Sequence, residues 1–232
     1  MPFAGFDSLE YPGDPIMGLL RQRTNFRFVG YYLAPAPCRG SSPWLGRRAT
    51  LANQGWGFLP VYVGQQEPGA SKCTQNTLTA EQGDQDGRAA VGLMASEGFP
   101  LKSVVYLDIE MGGPASARTL SYVGAWVDAV ADIATYSPGI YCSHKTAPSI
   151  VKAKPNVPIW TFNLVDLHPN SPSFPTDPPT GSGVAQAIAW QYAQGISIKF
   201  NDPALPSMTV DLDCASVPDP SQLAAPAPPL TS

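Results

Sequence analysis

The sequence predicts a single α/β domain with the architecture of a TIM-like (β/α)8 barrel. Eight strand-like runs alternate with helix-like ones, and the later strands are continuous apolar runs. Continuous apolar strands are typical of a parallel sheet that is covered on both faces. Eight strands in about 215 residues lie near the lower size limit of such a barrel. A doubly wound sheet is the competing architecture, but no glycine-rich phosphate-binding motif occurs at a βα turn.

Alternating short apolar runs and helical periods define the first half of the barrel. The predicted strands are 3–7, 27–33, 57–64 and 103–110, and the predicted helices are 14–24, 47–54 and 79–98. The second strand is rich in aromatic and β-branched residues, which favour strands. The third helix carries Ala90, Leu93 and Met94 at helical spacing and ends at Gly98, a usual helix stop.

The second half is expected to be less regular. The predicted strands are 139–142, 157–164, 187–193 and 208–213, and the predicted helices are 115–136 and 146–152. The longest helix carries one apolar stripe, formed by Leu120, Val123, Val127 and Val130. The Pro- and Ser-rich stretch 166–183 contains no convincing helix. We expect the barrel to span residues 1–216, followed by a disordered tail or linker at 217–232, which is rich in Pro and Ala.

Composition narrows the classes of partner. The chain has 232 residues and a formal net charge of −4, and its 14 Lys and Arg residues are scattered, so no nucleic-acid partner is expected. No apolar run reaches the roughly 18 residues that a membrane span needs. The start of the chain does not resemble a signal peptide. The location stays open, with a secreted or extracytoplasmic one favoured over the cytoplasm, and we expect a monomer that needs no cofactor.

The four cysteines show no zinc-binding spacing. Cys38 and Cys73 lie in polar segments that follow apparent strands, and a disulfide between them is one possibility in an oxidising compartment. Cys142 and Cys214 end apolar strands and are predicted to be buried thiols.

Acidic residues end three of the predicted strands. Asp7 ends the first, Asp108 and Glu110 end the fourth, and Asp211 and Asp213 end the eighth. Residues two apart on a strand point to the same face, with Cβ atoms about 7 Å apart. Active sites of TIM barrels form at the C-terminal ends of the strands. The sequence therefore predicts a ring of five acids at one mouth of the barrel, with Asp108 and Glu110 as a glycosidase-like carboxyl pair.

Aromatic residues accompany these acids on the strands. Their flat apolar faces suit the C–H surfaces of sugars, and their polar ends can orient hydroxyl groups. We expect Tyr62 and Trp190 foremost to contact a sugar, and we add Tyr31, Tyr192 and Asp213 to the substrate-binding set.

Four motifs in order along the chain resemble the glycoside hydrolase family 25 lysozymes. They are Gly5-Phe6-Asp7, Asp108-Ile109-Glu110, Trp190-Gln191-Tyr192 and Val210-Asp211-Leu212-Asp213. More closely, Gly5-Phe6-Asp7 and Phe28-Val29-Gly30-Tyr31-Tyr32 resemble a bacterial glycoside-hydrolase-like domain of uncharacterised function that is related to that family.

The resemblance covers roughly residues 3 to 215 and implies roles for the acids. Glu110 would be the general acid, and Asp108 would stabilise developing positive charge or orient a 2-acetamido group. Asp7 and Asp211 would shape the site and tune those pKa values. The implied substrate is a bacterial cell-wall glycan of the peptidoglycan type.

Other functions stay open at this point. One is a non-catalytic carbohydrate-binding barrel that has kept the cleft. Another is a metal-dependent hydrolase, in which the acids and either His144 or His168 would hold Mg²⁺ or Ca²⁺. A Ser or Cys nucleophile has little support, because no GxSxG motif occurs and neither histidine has an obvious partner.

Overall fold

Eight strands close into a barrel in the computed structural model of the chain, which describes residues 1–69, 78–165 and 173–223. The strands are β1 (Phe3–Asp7), β2 (Phe26–Tyr32), β3 (Gly57–Val63), β4 (Val104–Ile109), β5 (Ser137–Ser143), β6 (Ile159–Phe162), β7 (Ala187–Ile198) and β8 (Met208–Ala215). The helices are α1 (Asp14–Arg23), α2 (Arg48–Asn53), α3 (Ala80–Ser96), α4 (Ala117–Ile133) and α5 (Ala147–Ala153). The predicted eight-stranded α/β barrel is therefore confirmed.

Strand β8 departs from the regular (β/α)8 pattern. The pairs from β1–β2 through β6–β7 are parallel, but β8 is antiparallel to both β7 and β1. Asp211 and Asp213 consequently lie inside β8 and do not end it, which corrects the prediction. The antiparallel register places Asp211 opposite Asp7, at the C-terminal mouth, and Asp213 opposite Gly5, deeper in the barrel.

Helices α3 and α4 cover one side of the barrel and are held by local sequence signals. The side chains of Thr79 and Ser116 cap their N-termini, each accepting a hydrogen bond from a first-turn backbone N–H. A Cβ atom on Gly83 of α3 would lie 2.3 Å from the carbonyl oxygen of Tyr122 on α4, so glycine is required for this close approach. Between β6 and β7 the described residues contain only a 3₁₀ turn (Pro179–Ser182), and residues 166–172 lie outside the described part.

Residues 217 to 223 pack against the N-terminal end of the barrel. The prediction of a disordered tail from Val217 is wrong here, because the backbone N–H of Val104 donates to Ser221 O at 2.8 Å, and the Tyr106 hydroxyl donates to Pro220 O at 2.9 Å. Pro and Ala content alone missed these contacts, because they are made mainly by backbone carbonyls. Residues 224–232 lie outside the described part of the chain.

The cysteines divide into two environments. Cys142 and Cys214 are buried free thiols, as predicted, and Cys38 is disulfide-bonded. Cys73, the partner that we considered for Cys38, lies outside the described residues. Within the described ranges, no helix has the length and apolar character that crossing a membrane requires.

Asp219 is one of the side chains that hold the C-terminal segment on the barrel, and its removal should lower the stability of the protein. Its Oδ1 accepts from Phe58 N at 3.0 Å, from Ser221 N at 3.1 Å and from Ser221 Oγ at 2.7 Å. We expect Asp219→Ala to lower the free energy of unfolding by about 1–3 kcal/mol, seen as a lower Tm by several degrees. Asp219→Asn keeps Oδ1 and is the matched control. Equal Tm values for the two variants would contradict this role.

Candidate functional site

Four carboxyl groups lie together inside the C-terminal half of the barrel. Asp7, Asp108 and Asp213 are 3%, 5% and 0% exposed, and Asp211 is partly buried beside them. The structure therefore brings together four of the five predicted acids in the barrel interior. The fifth, Glu110, follows β4 and is exposed at the mouth.

Asp7 is held by strand β2. The Tyr32 hydroxyl donates a hydrogen bond to Asp7 Oδ1, and Gly30 leaves the space for this carboxyl, since a Cβ atom there would lie 2.4 Å from Asp7 Cβ. Burial, together with the negative charge of Asp211, raises the pKa of Asp7 to about 7. Asp7 therefore retains its proton at pH values at which an ordinary aspartate is ionised.

Asp213 lies below Asp7 and interacts with it. Trp160 Nε1 donates to Asp213 Oδ1 at 2.9 Å, across the interior from β6. Neither Asp7 Oδ2 nor Asp213 Oδ2 contacts an N–H or hydroxyl donor among the described residues, and the two carboxyls interact with each other. Burial and the charge of Asp7 raise the pKa of Asp213 well above its usual range. The pair is therefore placed to share a proton.

Asp108 and Glu110 differ in their surroundings although they are only two residues apart. Asp108 Oδ1 is buried and accepts no hydrogen bond from the described residues. Burial, followed by the negative charges of Glu110 and Asp7, raises the pKa of Asp108 well above its usual range. The backbone N–H of Glu110 donates to Gln66 Oε1 at 2.9 Å. Because like charges oppose each other, the negative charge of Glu110 helps Asp108 to keep its proton.

Two neutral side chains, Gln191 and Tyr141, form a hydrogen-bonded series that begins at Asp211, the remaining acid. Gln191 Nε2 donates to Asp211 Oδ2 at 2.8 Å, and the Tyr141 hydroxyl donates to Gln191 Oε1. The backbone N–H of Gly195 donates to Asp211 Oδ1 at 2.7 Å. These donors favour the ionised form of Asp211, but burial outweighs them and raises its pKa.

Two cavities open at this end of the barrel. One has a volume of about 620 Å³ and is bordered by Asp7, Tyr32 and Asp211 together with residues of the loops that follow β1 and precede β8. The other has a volume of about 230 Å³ and is bordered by Glu110, Tyr141, Phe162, Leu164, Gln191 and Gln194. A ligand at the mouth would thus meet carboxyl, phenol and carboxamide groups.

Tyr31 and Tyr62, which we predicted to bind substrate, point instead into the helix layer. The Tyr31 hydroxyl donates to Glu97 beside the end of α3, and its ring packs against Trp44, Phe58 and Phe99. Tyr62 lies against Trp126 of α4 and interacts with Asp86 of α3. Both predictions are wrong. Successive strand residues alternate between the two faces of the barrel wall, and Tyr31 and Tyr62 lie on the outer face, against the helices.

Trp190 and Tyr192 lie on the outer face of β7. Trp190 Nε1 donates to Asn163 O at 2.9 Å, and the indole ring packs beneath Gly181 of the 3₁₀ turn. Tyr192 contacts the same indole ring and is buried. Neither residue borders either cavity, so they are corrected to core residues.

The polar groups that do surround the acids are Tyr32, Tyr141, Trp160, Gln191 and Gln66. The sequence prediction omits all five from the site. The signal that could have identified Tyr32 is its position two residues after Gly30. Residues two apart share a face of the strand, so Tyr32 faces the barrel interior, as Gly30 does. Gln191 likewise lies between Trp190 and Tyr192, on the opposite face of β7.

The histidines do not join this site in the described part of the chain. His144 Nδ1 lies 3.4 Å from Phe162 O, and His168 lies outside the described residues. No group of three or more His, Cys, Asp or Glu side chains within the described ranges has a geometry that could hold a metal ion.

Comparison with known proteins identifies relatives of the chain. A family model described as "Rv2525c-like, glycoside hydrolase-like domain" matches residues 20–199. A search of curated protein sequences found no match.

Solved structures share the fold at low sequence identity. The Tat-secreted protein Rv2525c of Mycobacterium tuberculosis, solved with HEPES, is 15% identical, with a TM-score of 0.59 over 95% of this chain and 98% of that one. A lysozyme from Streptomyces coelicolor is 14% identical, with a TM-score of 0.58 over 93% and 92%. The autolysin LytC from Streptococcus pneumoniae, solved with a synthetic peptidoglycan ligand, is 10% identical, with a TM-score of 0.56 over 92% and 46%.

The raised pKa of Asp7 makes stability depend on pH. Its folded-state pKa of about 7 exceeds the ordinary value of 3.8, so the stabilisation is complete below about pH 4 and is lost as the pH rises through 7. We expect Tm to fall between pH 4 and pH 8. Asp7→Asn should flatten this slope and raise Tm at pH 8 by at least about 2–4 °C, because a buried charge is removed.

Thermal melts at half-unit pH intervals measure this dependence. Asp132→Asn, which removes an exposed carboxylate from α4, is the control and should keep the wild-type slope. If Asp7→Asn retained that slope as well, another group would be responsible for the pH dependence.

Proposed function

The chain belongs to the Rv2525c-like, glycoside hydrolase-like domain family, and from this premise we propose that it hydrolyses a bacterial cell-wall glycan of the peptidoglycan type. Asp108 and Glu110 would carry the reaction at the C-terminal mouth. Asp7 and Asp211 would set the electrostatic environment of this pair, and Asp213 would support them from below.

The observation that carries the proposal is the unequal burial of the two carboxyls. Asp108 is 5% exposed with an unpaired Oδ1, whereas Glu110 is exposed and borders the 230 Å³ cavity. Glycosidases need one carboxyl that gives up a proton and another that bears charge, and different environments are what separate the two roles.

Glu110 would act as the proton donor. The glycosidic C–O bond breaks as the leaving oxygen takes the proton from Glu110, and water then adds to the anomeric carbon and returns a proton to Glu110. Asp108, then ionised, stabilises the positive charge that develops on the sugar ring. Because Asp108 holds its proton strongly in the free site, glycan binding must shift the proton from Asp108 towards Glu110.

The assignment to peptidoglycan is supported by the relatives and by the sequence motifs. One structural relative is a lysozyme, and another was solved with a peptidoglycan ligand. The Asp-Ile-Glu motif at the end of β4 resembles that of family 25 lysozymes. A disulfide at Cys38 favours an oxidising, extracytoplasmic location, which is where such a substrate lies.

A non-catalytic glycan-binding barrel is the second candidate, and one observation favours it. Asp7, Asp108 and Asp213 are almost completely buried and Asp211 is partly buried, so Glu110 is the one exposed acid of the five. A single accessible carboxyl can bind sugar hydroxyls without completing a two-carboxyl reaction.

Digestion of purified peptidoglycan tests the proposal. We expect the release of soluble fragments with new reducing ends, identified by mass spectrometry. Glu110→Gln should lower the rate by about 100-fold or more, because loss of a general acid costs that much. The rate should also fall as the pH rises, since the carboxyl pair then loses its proton.

Glu81→Gln, which changes an exposed carboxylate on α3, is the matched control and should keep the wild-type rate. Full activity in Glu110→Gln would refute the assigned role. Glycan binding by the wild type without release of fragments at any pH would support the binding-only candidate.

A further inference from the structure

Gln66 contacts the chain on both sides of Ile109, between the two carboxyl residues. Its Nε2 donates to Asp108 O at 2.8 Å, and its Oε1 accepts from Glu110 N at 2.9 Å. The side chain is 1% exposed, so water does not compete for these bonds. A primary carboxamide offers a donor and an acceptor from one planar group, which this pair of contacts requires.

The Gln66 carboxamide bonds to β4 just beyond the point where the backbone pairing between β3 and β4 ends. Strands β3 and β4 pair in parallel as far as Val63 opposite Asp108. Beyond that point β3 has ended, and the side chain of Gln66 takes the place of the missing strand. It thereby supplies partners to a carbonyl and an N–H of the β4 end that receive none from β3.

The segment that carries Gln66 is itself fixed to the helix layer. The backbone N–H of Gln65 donates to the Tyr122 hydroxyl at 3.1 Å, and this hydroxyl donates to Asp86 Oδ2 at 2.7 Å. On the other side, the Glu67 carboxylate accepts from Thr119 Oγ1 at 2.6 Å and from Arg118 at 2.7 Å. Gln66 is therefore anchored through both of its neighbours in the sequence.

We propose that Gln66 is a positioning residue for the carboxyl pair. It fixes the backbone at the end of β4 so that Asp108 stays in the barrel interior while Glu110 projects at the mouth. This inference rests on the proposed glycan hydrolysis for its effect on rate, whereas its effect on the Glu110 backbone is independent of any activity.

Gln66→Leu and Gln65→Leu form a matched pair of variants. Both glutamines are buried in the same segment, but among the described residues the one hydrogen bond of the Gln65 side chain is a long contact of 3.5 Å with Asp86. We expect Gln66→Leu to lower kcat on peptidoglycan by about tenfold or more, with KM within about twofold and a displaced pH profile, because misplaced catalytic groups cost rate. Gln65→Leu should retain the wild-type kcat and pH profile.

Gln66→Glu adds a second measurement, the pH dependence of activity relative to wild type, which would not change if Gln66 had a purely structural role. In this variant the ionised carboxylate accepts from Glu110 N but cannot donate to Asp108 O, whereas the protonated carboxyl can do both. The activity of Gln66→Glu relative to wild type should therefore recover as the pH falls. A constant ratio across the pH range would contradict the proposal.

Amide hydrogen exchange separates this inference from the proposed function. The Glu110 amide should exchange at least about tenfold faster in Gln66→Leu than in Gln65→Leu or the wild type. That result supports the inference even if the wild type cleaves no glycan, which would sink only the hydrolase proposal. Equal exchange rates, or equal kcat values for the two leucine variants in an active protein, would overturn it.

Discussion

The structure depends on enclosing four carboxyl groups in one barrel without an ion-pairing Lys or Arg among the described residues. No Lys or Arg in the described part of the chain forms an ion pair with any of them. Burying an ionised carboxylate unpaired is costly, and the usual outcome is that the group keeps its proton. The raised pKa values of Asp7, Asp108, Asp211 and Asp213 follow from this constraint. The barrel tolerates the cluster because these acids keep their protons more readily, and because Asp7, Asp211 and Asp213 accept hydrogen bonds from neutral donors.

Residues of strands β1 and β2 fit each other in size around the buried Asp7. The Phe28 ring occupies the space beside Gly5, where a Cβ atom would lie 2.2 Å from it. Gly30 gives room to Asp7, and the Tyr32 hydroxyl bonds to the same carboxyl. The two motifs that resemble the glycoside-hydrolase-like domain are thus two halves of one packing arrangement. Gly30 is a steric requirement of the buried Asp7, and Gly5 is a steric requirement of the Phe28 ring.

The periodicity of apolar residues is sufficient to predict the strands and helices. It carries no information on whether a strand runs parallel or antiparallel to its neighbours, or on which of its faces points into the barrel. The apolar run of β8 reads the same in either direction, so its antiparallel course and the mid-strand position of Asp211 could not be predicted. Choosing the inner face of a strand needs a reference residue. In β2, Gly30 is such a reference and indicates that Tyr32, not Tyr31, faces the interior. Strands β3 and β7 contain no comparable residue that would show which way Tyr62 or Trp190 points. The contact of Asp219 with the backbone N–H of Phe58 joins residues that are far apart in the sequence, and composition does not record it.

The choice of neutral partners has a chemical consequence. Tyr32, Trp160 and Gln191 donate to carboxyl oxygens, and Gln66 donates to the Asp108 carbonyl, so each is held by a group without charge. An Arg or Lys in place of Tyr32, Trp160 or Gln191 could also donate to these carboxyl oxygens, but its positive charge would lower their pKa values and favour loss of the proton. A site that needs a proton donor near neutral pH gains from phenol, indole and carboxamide partners. The same neutral donors that make the burial of four carboxyls tolerable therefore preserve the protonated state on which glycoside chemistry at Glu110 would depend.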